Sequence, residues 1–421
     1  MKVAILGVGT VGSSVVKILE ENKQIIKARS GKDIIASVGV VKNLNKKRDL
    51  SIEITDDIKS VLDRDDIDIY VELMGGVEES YEVAKKVLKK GKSLVTANKA
   101  MLAYHRFELQ RLSGEVNIGF EASVAGGIPI IKALREGLSA NKIVSIFGIM
   151  NGTCNYILTK MMNESVDFKE VLAKAQELGY AEADPSFDVG GFDAAHKLLI
   201  LSSIAYGVHG DPEDILIEGI ENIDQDDIAF AKEFDYKIKL LCIAKKSGDF
   251  VELRVHPALV SNEKMIAKVD GVMNGVSVIG DAVGETMYYG AGAGGDATAS
   301  AVISDIIDIA RDGKSSPMLG FKKPLEKLEC KLLPIDQIQT KYYIRLHVKD
   351  EKGVLANITN IMSKHNISIE RFLQKPSLNQ NEATLLFSTH TCKEKDIKQT
   401  LKAIQDTKFL TAKVNMIRIE D

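Results

Sequence analysis

The sequence predicts an α/β fold built on a doubly wound parallel sheet, followed by an α+β domain and a small ferredoxin-like module. Three observations carry this. Over residues 1–130 short apolar strands alternate with helical stretches, and the first strand runs straight into a glycine-rich turn. Over 131–311 the pattern changes to helices followed by paired strands. Residues 341–421 then follow the order βαββαβ.

In the first segment Lys2–Leu6 is a strand, and Gly12–Glu20 is a helix with Val15, Val16, Ile18 and Leu19 on its apolar side. Strands follow at Ile34–Val41, Asp68–Leu73, Ser93–Asn98 and Val116–Glu121. The helix Ser80–Lys90 carries Tyr81, Ala84, Val87 and Leu88 at helical spacing and stops at Gly91. In the second segment a strand at Ile143–Met150 leads to helices around Asn155–Met162, Phe168–Leu178 and Asp193–Tyr206. Strands come next at Ile238–Ala244, Phe250–His256, Val276–Gly280 and Glu285–Tyr289, with Ser247-Gly248-Asp249 turning a hairpin.

A helix near 297–312 is expected to pack back on the first domain and complete it. Pro317, Pro324 and Pro334 among many lysines mark 312–340 as a linker. In the last segment Ile344, Leu346 and Val348 alternate as in a half-buried strand, and Val354, Leu355, Ile358, Ile361 and Met362 follow helical spacing. Strands at Ile367–Leu373 and Ala383–Thr389, a helix at Lys395–Ile404 and a strand at Ala412–Ile419 complete that module.

With 421 residues the chain exceeds one ordinary core, which agrees with several domains. Lys plus Arg number 55 and Asp plus Glu 59, so the net charge is −4. That balance argues against a nucleic-acid binder, which needs a basic face. No apolar run approaches the ~20 residues of a membrane helix, and the N-terminus enters a strand rather than a signal peptide. Cys154, Cys242, Cys330 and Cys392 are scattered, without spacing for zinc or a redox dithiol. They are expected to be reduced thiols in a cytoplasmic protein.

Gly7-Val8-Gly9-Thr10-Val11-Gly12 fits G-x-G-x-x-G between a strand and a helix, the context in which that motif holds a dinucleotide. The glycines admit the pyrophosphate, and the helix N-terminus offers it free N–H groups. The second strand ends at Val41-Lys42-Asn43, without the acid that would bind ribose hydroxyls, and Asp33 lies on the wrong edge. Lys42, with Lys46, Lys47 and Arg48, can instead face a 2′-phosphate, so NADP is preferred and NAD is the alternative. Gly75 and Thr96-Ala97-Asn98-Lys99 stand at the carboxyl ends of parallel strands, where such sheets place ligands.

The densest polar cluster runs from Gly179 to Lys197 and includes Glu182, Asp184, Asp188 and Asp193. Asp193 and Lys197 are four apart at a helix start, so they share a helical face. By itself that is an ordinary ion pair; the surrounding acidic, glycine-rich loop is what points to chemistry.

These segments resemble the homoserine dehydrogenases. The resemblance rests on Ala175–Lys197, on Thr96-Ala97-Asn98-Lys99, on Glu121-Ala122-Ser123-Val124-Ala125-Gly126-Gly127-Ile128-Pro129, on Asn151-Gly152-Thr153 and on Gly290–Gly295. It covers roughly residues 1–312, and residues 341–421 resemble an ACT domain. It implies reduction of L-aspartate 4-semialdehyde to L-homoserine with NAD(P)H, on the route to threonine, methionine and isoleucine. By resemblance Lys197 is the proton donor, Lys99 a second lysine near the reacting carbon, and Asp193 a substrate contact. Glu182 binds the substrate ammonium, with Gly179 and Asp188 beside it, and Gly292 approaches the nicotinamide. Glu121 with the carbonyls of Val124, Gly126 and Ile128 matches a monovalent-cation site, and all-oxygen donors suit Na⁺.

Cys154 departs from the family, which has Thr there. An aspartate-semialdehyde dehydrogenase using Cys154 as nucleophile is therefore one alternative, and an ACT-type amino-acid-binding regulator is another. In the ACT module the turn carrying Gly353, Leu355 and Asn357 is the place for an amino-acid effector, with threonine as the candidate. A homodimer, raised to a homotetramer by ACT pairing, is expected. A fused aspartate kinase is not, since the dehydrogenase part begins at Met1.

Overall fold

A computed structural model describes residues 1–312, 317–322, 330–376 and 381–420. The first sheet has six strands: β1 (Lys2–Leu6), β2 (Ile35–Val40), β3 (Glu53–Thr55), β4 (Ile69–Glu72), β5 (Ser93–Thr96) and β6 (Ile118–Gly119). All pairings are parallel, and the order is β3-β2-β1-β4-β5-β6. The direction of winding reverses between β1 and β4, so a crevice opens at their carboxyl ends, where dinucleotides bind in such sheets. The apolar run of β1 is buried on both faces, as a covered parallel strand requires.

The helix Gly295–Asp312 returns to this sheet, as the sequence suggests. Ala299, Val302, Ile303 and Ile306 share a core with Val3, Ile5, Val15 and Val16. Four elements differ from the sequence reading. Lys23–Ser30, Ile58–Leu62 and Lys99–Ser113 are helices that the apolar pattern did not mark. The strand expected at Val116–Glu121 shrinks to β6, and Glu121–Ser123 turns into a single 3₁₀ turn.

The second sheet is mixed and has twelve strands. Its N-terminal half holds β7 (Ile143–Ile149), β8 (Leu216–Ile217), β9 (Tyr236–Ser247), β10 (Phe250–Ser261), β11 (Met273–Gly280) and β12 (Gly284–Ala291). After β13 (Lys331–Leu332) come β14 (Gln339–Lys349), β15 (Ile369–Pro376), β16 (Glu382–Thr389), β17 (Cys392–Lys393) and β18 (Asn415–Glu420). The path is β12-β11-β7-β9-β10-β18-β14-β16-β15. The C-terminal module is thus βαββαβ, and its own four strands are ordered 4-1-3-2 by first, second, third and fourth strand of the module.

The sequence separates this module from the N-terminal half of the sheet, yet β18 pairs with β10 in parallel and makes one sheet of the two. The expected linker falls partly on 313–316 and 323–329, outside the described residues. Its described part is not loose: Met318 and Leu319 are buried, and β13 pairs with β10. Apolar anchors explain why proline and lysine content misjudged it.

Candidate active site

Lys99 opens the helix that follows β5, and the side chain of Asn98 caps it by accepting from Met101 N at 3.0 Å. A cation in a first helical turn sits at the positive end of the dipole, which disfavours it. The Asp193 carboxylate offsets this: Lys99 Nζ meets Asp193 Oδ1. Asp193 lies in the first turn of Phe192–Tyr206, behind the left-handed Gly191 (φ 88°). Its other oxygen accepts from Lys197 Nζ at 2.8 Å and from Asn151 Nδ2 at 2.8 Å.

Asp193 is therefore shared by two ammonium groups. Burial would raise its carboxyl, but Lys197 and Lys99 outweigh that and hold it below the ordinary range. Lys197 also donates to Met150 O at 2.7 Å, which leaves one of its three hydrogens for a ligand. Asn151 donates as well to Asp188 Oδ1 at 2.8 Å. Burial and the neighbouring Asp193 charge push Asp188 above its usual value.

These groups line a cavity of about 480 Å³ together with Gly179, Glu182 and Gly292. Glu182 is exposed at its rim. Lys99, Lys197, Asp188, Asp193, Glu182, Gly179 and Gly292, all singled out in the sequence, line one cavity although they come from three separate segments. It missed Asn274, which lines the same cavity, is buried, and whose Oδ1 has no hydrogen-bond partner among the described residues. No local signal marks it: β11 also carries Ser277, and Asn274 lies just ahead of the strand start assigned at Val276.

A second cavity, about 560 Å³, opens at the crevice of the first sheet and is lined by Gly7, Val8, Gly9, Lys42, Arg48 and others. Thr10, Val11 and Gly12 form the first turn of the helix Thr10–Glu21. Gly7 has φ 109°, and a Cβ there would stand 2.5 Å from Leu73 O; one at Gly12 would stand 2.3 Å from Gly7 O. Arg48 donates to Val8 O at 3.0 Å and so ties the basic loop to the glycine turn.

Lys42 faces Glu79 at 3.7 Å on the surface. Asp56 also lines this cavity, so it does hold a carboxylate that the end of β2 does not supply. Asp33 stays at the opposite edge, paired with Lys27. Gly75 (φ 74°) and Thr96 line neither of these two cavities. The Thr96 hydroxyl is buried and donates to Glu72 Oε2 at 2.6 Å.

The Glu121 carboxylate is buried and accepts from Ile131 N at 2.8 Å and Lys132 N at 2.9 Å. Burial and nearby Asp305 push it up to about 7. Val124, Gly126 and Ile128 follow in a loop that braces the cavity wall: Gly127 N donates to Ala291 O at 3.2 Å. A Cβ at Gly126 would lie 2.6 Å from the Gly292 carbonyl carbon. The Glu121 carboxylate and the backbone carbonyls of this loop are oxygen donors, the kind that a hard monovalent cation takes.

Cys154 lies beneath the cavity, where its thiol donates to Asp188 O at 3.2 Å and burial pushes it well above the ordinary thiol value. It is not poised as a thiolate nucleophile. In the C-terminal module Gly353 (φ 89°) precedes the helix Val354–Lys364, with Leu355 and Asn357 exposed on its first turn. Among the described residues no helix is long and apolar enough to cross a membrane.

Comparison with known proteins agrees with this architecture. Residues 129–307 match the model for homoserine dehydrogenase, residues 7–118 that for the homoserine dehydrogenase NAD binding domain, and residues 342–409 that for the ACT domain. The homoserine dehydrogenase of Helicobacter pylori is 56% identical, with 100% of this chain and 99% of that protein covered. The crystal structure of a homoserine dehydrogenase from Thiobacillus denitrificans superposes with a TM-score of 0.92 at 42% identity, covering 100% of this chain and 98% of that one. A hyperthermophilic archaeal homoserine dehydrogenase solved in complex with NADPH has a TM-score of 0.62 at 29% identity, covering 73% and 96%. A full-length relative above half identity, with both lysines and their shared carboxylate gathered in one cavity, places the chain in the homoserine dehydrogenase family.

Proposed function

We propose that this chain reduces L-aspartate 4-semialdehyde to L-homoserine with NADPH, and that Lys197 gives the proton. The observation that carries this is the Asp193 carboxylate held between Lys99 and Lys197 in the cavity beside Gly292. The bound nicotinamide supplies the hydride. Lys197, anchored by Met150 O and Asp193, keeps one N–H free for the carbonyl oxygen and protonates the alkoxide as it forms. Lys99 adds a second positive charge that stabilises the developing oxyanion. Glu182 at the rim takes the substrate ammonium, with Gly179 and Asp188 completing that end. Gly7 to Gly12 cradle the pyrophosphate.

Lys42 and Arg48 support NADP, while Asp56 in the same cavity is the observation that favours NAD. Gly75 and Thr96 act beneath the cofactor, the latter by holding Glu72. Na⁺ at Glu121, Val124, Gly126 and Ile128 would neutralise the buried carboxylate and stiffen the loop under Gly292. The product feeds threonine, methionine and isoleucine synthesis, with threonine binding at Gly353, Leu355 and Asn357 as the regulator. A cytoplasmic homodimer, or a homotetramer joined through ACT modules, is the working assembly.

The test is homoserine oxidation by the purified protein, followed at the reduced-nicotinamide absorbance with NADP and NAD, with and without threonine. Cofactor reduction supports the reaction, and faster NADP turnover supports Lys42 and Arg48. Suppression by threonine supports a regulatory module. No reduction with either cofactor would overturn the assignment.

A further inference from the structure

A path of direct contacts joins the last strand of the C-terminal module to the start of the catalytic helix. Arg418, on β18, is fully buried. It donates through Nη1 and Nη2 to Glu218 Oε2 and Oε1 at 2.7 and 2.9 Å, and through Nε to Glu394 Oε2 at 3.0 Å. Glu218 belongs to the catalytic half: it follows β8, and its backbone N–H donates to Val255 O on β10 at 2.8 Å. A guanidinium that grips a carboxylate at two points fixes orientation as well as distance.

The residues after Glu218 press on the turn that carries the catalytic carboxylates. Ile220 N donates to Val189 O at 3.0 Å. A Cβ at Gly219 would stand 2.6 Å from Val189 O and 2.9 Å from Gly190 Cα, so the two backbones touch. A Cβ at Gly191 would meet Ile217 at 3.3 Å and Glu218 O at 3.5 Å. Asp188 lies just before this turn and Asp193 just after it. No slack remains between the Glu218 segment and the residues that aim both carboxylates.

We propose that Glu218 is a positioning residue for the reaction: gripped by Arg418 of the C-terminal module, it fixes the Val189–Gly191 turn and with it the seat of Asp193 and Lys197. It touches no reacting atom and acts through the turn. The inference rests on the reading of Lys197 as the proton donor, and it makes the seating of the C-terminal module a determinant of turnover. Proton transfer is sensitive to displacement, since a shift of about 1 Å costs up to about a hundredfold in rate.

The experiment compares Glu218→Ala, Glu218→Gln and Lys197→Met with the unaltered full chain. It measures kcat and KM for homoserine, the dissociation constant for the cofactor by its fluorescence, and the thermal midpoint. Glu218→Ala is expected to lower kcat about tenfold at 25 °C while cofactor binding stays near normal; its midpoint falls, because the buried Arg418 keeps only Glu394 as a carboxylate partner. Glu218→Gln, which keeps the shape and one acceptor for Arg418, is expected to recover part of that loss.

Unchanged kcat in Glu218→Ala overturns the proposal. So does a fall in kcat matched by equally weakened cofactor binding, which would mean general loosening. If the alanine variant does not fold, Glu218→Gln decides: at least a threefold lower kcat at normal midpoint supports the proposal, and an unchanged kcat overturns it. Retained turnover in Lys197→Met sinks the Lys197 assignment instead, independently of Glu218.

Discussion

The amide of Asn274 occupies the space that a Cβ on residue 292 would fill, its Cγ standing 2.0 Å from that position. Gly292 is therefore glycine for reasons of contact. Gly292→Ala must push the buried Asn274 out of place and narrow the cavity from its wall. We expect it to lower kcat/KM for the cofactor at least about tenfold, in line with the cost of overpacking. Asn274→Ala in the same chain removes the clashing atoms and should restore part of the thermal midpoint. No recovery in the double variant would show that the clash is not the cause.

Asp193 holds both lysines, so its neutral isostere is more informative than loss of either. Asp193→Asn leaves two buried or half-buried ammonium groups without their common partner. Turnover should fall about a hundredfold or more, with a stability loss of about 3 kcal/mol. Steady-state kinetics with a denaturant midpoint measures both. Turnover within threefold of normal would remove Asp193 from the catalytic set.

Asp188 gives a pH test whose sign is fixed by its surroundings. Burial and the Asp193 charge raise its carboxyl above the usual 3.8. A group with a raised folded value favours folding while protonated, and that contribution is lost as pH rises from the unfolded value through the folded one. Asp188→Asn removes a half-buried charge, and its amide oxygen can still accept from Asn151. The variant should be more stable than the natural chain at pH 7–8, by about 1–3 °C in midpoint, and the difference should vanish near pH 4. Activity should drop at the same time, because a site residue was exchanged for stability. A lower midpoint at pH 8 would refute this reading.

Much of this site was legible because its chemistry is written in local motifs. Gly7 to Gly12 sit where a strand meets a helix, and Asp193 and Lys197 share a helical face. Other features are tertiary and leave no local trace. Lys99 heads a helix that the apolar pattern hid, since its burial falls on Met101, Leu102, Ala103 and Leu109 in a run of mixed polarity. That Asp193 would face both lysines could not be read from spacing, because Lys99 arrives from the other domain. Asn274 was invisible for the same reason: only the approach of Gly292 gives the amide a role. The joining of β18 to β10 also lies beyond pattern, since strand partners are chosen by tertiary packing.

The seam between the C-terminal module and the catalytic half supplies the last prediction. Arg345 on β14 donates through Nε to Asp227 Oδ1 at 2.9 Å and meets Asp224 Oδ2 at 2.5 Å, both on the helix Gln225–Glu233 or its cap. Asn415 donates to Asp227 Oδ2 at 2.8 Å from β18. Asp227 is fully buried, so removal of its guanidinium leaves an unpaired charge at the seam. Arg345→Met should therefore cost about 3 kcal/mol and lower the thermal midpoint. This contact lies at the Asp224 cap, away from the Val189–Gly191 turn, and should leave kcat at 25 °C within about twofold of normal. Scanning calorimetry and kinetics on the same preparation separate the two effects. A large loss of kcat at an unchanged midpoint would mean that the seam governs turnover through Arg345 as well, and would take from Glu218 its distinct part in seating Asp193.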